Sequence, residues 1–226
     1  MAIIKTGFLS PFKNKLGNGV GRRWRNLNIV AEYNGSPRNP RTTAQQIQRA
    51  RFATLSELAR AFASTLKDSL GGICAGTKVF PRAKFISLND GAVTSPSPDT
   101  VNVDFGEIIV ARGNVQGATY DAPEFDVPST VSVSYDLSAF KAQYPQANTN
   151  NVKARIVVYS VDGKFIMTGE VAGDVSQLIM TVPEFLAGTK VHVYGYIRWD
   201  GDDMPEYGLK KGDVSDSMYI GQGNIG

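Results

Sequence analysis

Hydrophobic positions follow two different rhythms along the chain. Between Arg41 and Leu70, apolar residues recur at Ile47, Phe52, Leu55, Leu58, Ala59, Phe62, Leu66 and Leu70. That spacing lies close to the 3.6-residue repeat of a helix with one buried face. Pro37 and Pro40 keep the approach extended, and Thr42 with Gln45, or Thr43 with Gln46, has the spacing of a capping box. Gly71-Gly72 supplies a stop. The pattern predicts one amphipathic helix over residues 41–71, roughly 40 Å long. From residue 101 onward the period becomes two. Strands are predicted at Val101–Ala111, Thr130–Tyr135, Lys153–Ser160, Lys164–Val171, Gln177–Val182, Lys190–Trp199 and Ser215–Ile220. Val131, Val133 and Tyr135 alternate with Ser132 and Ser134, and Asp162-Gly163 carries a two-residue hairpin signal. Seven strands without an intervening helical pattern predict an immunoglobulin-like antiparallel β-sandwich over residues 101–226.

The remaining segments are less regular. Residues 1–40 hold little apolar sequence and read as a basic extended arm with a hairpin. Gly17-Asn18-Gly19-Val20-Gly21 follows no hydrophobic strand and opens no helix, which excludes a phosphate-cradling loop and leaves a glycine-punctuated turn or strand. The stretch GRRWRNLNIVAEYN predicts a hairpin that turns at Asn26-Leu27-Asn28 and returns through Ile29-Val30-Ala31. Residues 72–100 read as a connector, with Val79-Phe80 and Phe85-Ile86 as short strands or a loop, and the Ser/Pro run at 95–98 as a linker. The fold class expected is mainly β with one long α-helix.

Composition narrows the function classes. With 42% hydrophobic and 20% charged residues, the 226-residue chain has an ordinary globular balance. No apolar run is long enough for a membrane span, and the N-terminus lacks the apolar core and cleavage site of a signal peptide. Cys74 is the single cysteine and His192 the single histidine. A disulfide framework, a Cys/His metal site and a histidine triad are therefore hard to build, and each residue reads as a buried structural one. Asp200, Asp202, Asp203 and Glu206 lack calcium-loop spacing and read as a solvated turn. The expectation is a non-enzyme with no cofactor and no metal.

Charge changes the picture more. Residues 1–70 contain 12 Lys/Arg and 3 Asp/Glu, whereas residues 71–226 contain 12 Lys/Arg and 18 Asp/Glu. A basic segment of this kind is expected to meet something acidic, either nucleic acid or a neighbouring copy. The candidate contact residues lie in the basic part: Arg22, Arg23, Trp24 and Arg25 in the hairpin, then Arg41, Gln45, Arg49 and Phe52 at the start of the helix. Arg and Trp are enriched at interfaces. Arg49 and Arg51 also sit near a helix N-terminus, where a cation is unfavourable unless a carboxylate from elsewhere answers it.

Two signatures carry a family resemblance: Gly17-Asn18-x-Val20-Gly21-x-x-Trp24-Arg25, and Pro40-Arg41-Thr42-x-Ala44-Gln45-x-x-Gln48-Arg49-x-x-Phe52. Over about residues 5–65 the chain resembles an uncharacterised family found in Bacteroidetes and their phages. The resemblance implies no known activity, and it implies a source among phages, with the crAss-like group as a setting by analogy. The expectation that follows is a virion protein, made in the host cytoplasm, forming a neck, collar or tail ring as a homo-oligomer with other virion proteins. In that reading the arm lies across an adjacent copy, and DNA contact within the neck is compatible with it. The alternatives are a bacterial sandwich module that recognises a glycan or protein, and nucleic-acid contact by the basic arm.

Overall fold

The computed structural model describes residues 2–4, 14–24, 27–36, 39–126, 129–173 and 175–225. The chain divides into two compact units, Met1–Thr42 and Thr43–Gly226. Both are built on antiparallel sheets.

In the first unit, β1 (Ala2–Ile4), β2 (Asn14–Leu16), β3 (Gly19–Trp24) and β4 (Leu27–Glu32) form one sheet in the order β1-β4-β3-β2. Gly17-Asn18 closes the β2–β3 hairpin between the paired residues Leu16 and Gly19. Gly17 holds φ at 57°, a left-handed value that glycine adopts without steric cost. The expected second hairpin is present as β3–β4, although Leu27 and Asn28 belong to the returning strand rather than to a turn. Among the described residues this unit has no helix and no second sheet, and Ile29 is its one buried hydrophobic side chain.

The second unit opens with helices. The predicted single long helix is instead interrupted: α1 (Thr43–Ala61) is followed by α2 (Ala63–Ser69) and the four-residue α3 (Gly71–Cys74). The break falls at Phe62, whose ψ of 1° departs from helical geometry although no glycine or proline is near. The Phe62 ring is fully buried, with centroids 5.6 Å from Phe85, 5.3 Å from Tyr159 and 6.0 Å from Tyr194. Packing into this aromatic group overrides the local helical preference. Gly71-Gly72 does not act as the stop either. The left-handed residue comes after α3, at Gly76 with φ 71°.

Residues 81–103 are structured. Phe85 and Ile86 lie in α4 (Pro81–Leu88), where Pro81 occupies the first turn, the helical position that tolerates it best. The Ser/Pro run falls largely in β5 (Val93–Ser97), which pairs with β6 (Thr100–Val103). The predicted strand at 101–111 ends at Val103. Phe105–Glu107 then forms a 3-10 turn, with the Asp104 carboxylate accepting from Gly106 N at 3.0 Å. Beyond it, the fully buried Asn89 side chain accepts from Ile109 N and donates to Ile109 O. A side chain therefore takes the place of a neighbouring strand, which no periodicity reveals.

The other strands are β7 (Thr119–Tyr120), β8 (Glu124–Asp126), β9 (Thr130–Asp136), β10 (Val152–Ser160), β11 (Phe165–Ala172), β12 (Gln177–Thr181), β13 (Lys190–Trp199) and β14 (Met218–Asn224). A short helix, α5 (Ser138–Gln143), lies between β9 and β10. One sheet runs β11-β10-β13-β14, and the other β12-β9-β7, with β8 also paired to β9. The connection at Asp162-Gly163 is four residues long, not two, because pairing ends at Ser160 and Phe165 and Lys164 takes a φ of 48°.

These strands make two layers, and a simple sandwich would end there. Val131, Val133, Leu178 and Met180 of the smaller sheet pack with Ala154, Ile156, Val158, Val193 and Ile197 of the larger one. The opposite face of the larger sheet presents Val157, Tyr159, Tyr194 and Tyr196 to Leu55, Leu58, Phe62, Leu66 and Phe85. The central sheet is thus buried on both sides, with mostly aliphatic side chains of its own plus Trp199 towards the second sheet and with Val157 and three tyrosines towards the helices. At about 1.5–3 kcal/mol per fully buried large side chain, the two interiors together stabilise one three-layer unit.

Candidate interaction surface

Strand register places the sequence-predicted contact residues of the first unit. Directly paired residues of an antiparallel sheet share a face. Ile29 pairs with Arg22, Ala31 with Val20, and Val20 with Lys15, while Leu27 follows the same parity. One face therefore carries Val20, Leu27, Ile29 and Ala31 together with Arg22 and Lys15. The other carries Arg23 opposite Asn28, and Gly21 opposite Val30. Arg22 and Arg23 are exposed. Lys15 Nζ stands 3.7 Å from the centre of the Tyr33 ring, a cation–π contact on the apolar face. Trp24 ends β3 opposite Leu27, and Arg25 lies outside the described residues.

Arg41 is exposed and holds φ at 48° just before α1. Gln45, Arg49 and Phe52 are spaced i, i+4 and i+7 on α1, so they form one stripe. All three are exposed, and Phe52 is 56% exposed. Phe52 does not join the buried face to which periodicity assigns it, since burial begins at Leu55. Arg51, absent from the predicted contact set, is the arginine that fastens α1. Its Nε donates to Val93 O at 3.0 Å, and its Nη2 donates to Asp90 O at 2.8 Å and pairs with the Asp90 carboxylate at 3.1 Å.

Two polar groups lie in the second unit; sequence reasoning missed the first and read His192, at the centre of the second, as a buried structural residue. Arg155 of β10 reaches Glu170 at 2.6 Å and Asp68 of α2 at 3.2 Å, and bonds to the Tyr196 hydroxyl. Burial opposes the Arg155 charge, but Tyr196, Glu170 and Asp68 together raise its pKa. Arg198 adds Asp200 at 2.8 Å and Asp68 at 3.8 Å. Neither Arg198 Nε nor Asp200 Oδ1 finds a directed hydrogen bond, so charge rather than alignment holds that pair. Two arginines face three carboxylates in this network, which ties the helical layer to the central sheet; the only signal for it was an Arg inside each of two strand patterns.

The second group surrounds His192. Its Nδ1 lies 3.0 Å from the Tyr219 hydroxyl, and its ring stacks on Phe105 at 4.1 Å. Burial, with Lys190 nearby, pushes its pKa down to about 4, so it is neutral at pH 7. Cys74 is buried as expected, and burial pushes its thiol pKa up. Among the described residues, no three His, Cys, Asp or Glu side chains gather to hold a metal ion. Near the acidic turn at 200–206, Lys211 N donates to Asp203 Oδ1, and the Trp199 indole donates to Asp202 O. No helix among those residues is long and apolar enough to cross a membrane.

The sequence matches the family of unknown function DUF6266 over residues 11–221. The chain belongs to DUF6266. A comparison with curated proteins finds none that matches. The DUF6266 match includes the hairpin and helix signatures as well as nearly all of the three-layer unit, so both units are covered by one family.

Proposed function

We propose that this DUF6266 chain is a structural assembly protein, a neck, collar or tail-ring component of a phage particle, which associates through its N-terminal unit. The carrying observation is the contrast between the units. Residues 1–42 hold 8 Lys/Arg and 1 Asp/Glu, and among the described residues their four-stranded sheet has no second layer, while one face sets Lys15 and Arg22 beside the half-exposed Val20, Leu27 and Ala31. Covering the apolar side chains of such a sheet adds to its stability. Residues 43–226 hold 16 Lys/Arg and 20 Asp/Glu.

The immunoglobulin-like part of the reading is supported by strand order. With β9, β10, β12, β13 and β14 in the places of strands B, C, E, F and G, the sheets run A-B-E and C′-C-F-G, as such sandwiches do. Size-exclusion chromatography with light scattering on the full chain tests the assembly reading. The expected mass is a multiple of 24.4 kDa; a single-chain mass at all concentrations overturns it.

Nucleic-acid contact is the second reading, favoured by the basic first unit with its exposed Arg22 and Arg23. It predicts DNA affinity that falls steeply with salt.

A further inference from the structure

We infer that the receiving surface for the N-terminal sheet is the open edge formed by β7 and β8 on a second copy of the chain. The inference rests on the assembly reading and specifies its partner surface. The giving side combines two chemistries. Val20, Leu27, Ile29 and Ala31 share a face with Arg22 and Lys15, so the partner must supply apolar contact and negative charge together. Ile29 is buried within the chain, but Val20, Leu27 and Ala31 stay half-exposed, and a nucleic-acid backbone would answer Lys15 and Arg22 without covering those aliphatic side chains, which favours a protein.

The receiving side has the matching features. Residues 113–140 contain Asp121, Glu124, Asp126 and Asp136 and no Lys or Arg. Asp121, Glu124 and Asp126 are exposed along one strand edge, and among the described residues none of the four carboxylates makes an ion pair. Glu124 has only a long 3.5 Å contact, from the Ser132 hydroxyl. Between the acids, Phe125 is half-buried, and its ring lies where a side chain on Gly223 would stand. Among the described residues strand β8 pairs with β9 alone, so its outer edge retains backbone groups that can bind a partner. Phe125 packs inward on the core and fixes the strand, so the edge offers its exposed carboxylates and unpaired backbone groups to a sheet face that carries Lys15 and Arg22. Because the two surfaces differ, the contact is heterologous and propagates from copy to copy.

Two full-length charge-reversal variants test the assignment: Lys15→Glu with Arg22→Glu, and Glu124→Lys with Asp126→Lys. All four positions are exposed, and unchanged far-UV circular dichroism and melting establish that each variant folds. Each alone is expected to fall to the mass of one chain. Mixed in equal amounts they are expected to regain the wild-type mass, because each then offers the other a complementary surface. Two dispersed variants that stay dispersed on mixing overturn the pairing. A wild type that assembles alongside variants that assemble equally well overturns this surface and leaves the assembly reading intact. A monomeric wild type overturns both. Binding of a 20-base-pair duplex that is lost in the first variant, with no self-association in the wild type, assigns the face to nucleic acid instead.

Discussion

His192 is held neutral by its surroundings, and this has a definite pH signature. Its pKa in the folded chain is about 4, below the ordinary 6.5. The unfolded chain therefore binds a proton between those values that the folded chain does not. Stability contributed by the neutral ring is complete above pH 6.5 and is lost as pH falls towards 4, by up to roughly 3 kcal/mol. Urea midpoints measured from pH 7 to pH 4.5 are expected to fall more steeply for the wild type than for His192→Gln; parallel curves would contradict this. Gly195 makes a second residue-scale prediction. A methyl group there would stand 2.7 Å from the Tyr120 ring, at a site buried between layers. Gly195→Ala is expected to cost about 1–3 kcal/mol by overpacking, read as a lower melting temperature.

At the scale of elements, the helix is interrupted at Phe62, inside a buried aromatic group. Phe62→Ala removes the ring that meets Phe85, Tyr159 and Tyr194, and is expected to cost about 3–5 kcal/mol in denaturant unfolding. Arg155→Met separates α2 from the sheet electrostatically, with an expected loss of about 1–3 kcal/mol that salt reduces only in part, because the side chain is 18% exposed. The strands were legible where alternation was strong. Lys190–Trp199 appears with the predicted bounds, and Thr130–Asp136 and Val152–Ser160 differ from prediction by one residue. The helix interruption was not legible, because Phe62 fits the helical repeat and only distant rings displace its backbone. Nor was β5, since Pro96 and its serines resemble a linker until β6 pairs with them. Among the candidate contact residues, the sequence alone placed Gln45, Arg49 and Phe52 on one helix. It named Phe52 both in the apolar repeat and as a contact residue, and the structure leaves it exposed, because helical spacing alone does not mark where the buried face begins.

The whole molecule separates charge and hydrophobic interior into different units. Residues 43–226 contain both buried clusters of the three-layer unit, apart from any contribution of the first sheet. A chain beginning at Thr43 is expected to melt cooperatively and to run as one copy on a sizing column, while the full chain assembles; an assembled truncated chain would count against the role given to residues 1–42. Three-layer packing has one more consequence, carried by β13. On this strand Val191, Val193 and Ile197 meet the aliphatic layer, while Tyr194 and Tyr196 meet the helices. Slipping β13 by one position against β10 would thrust Tyr194 and Tyr196 into space filled by Val191, Val193 and Ile197, and would swing those smaller side chains into space shaped for rings. A two-layer protein with one wet face pays for such an error only on its dry side. Here both sides reject it, so the alignment of the central strands is proofread twice over by the layers that enclose them.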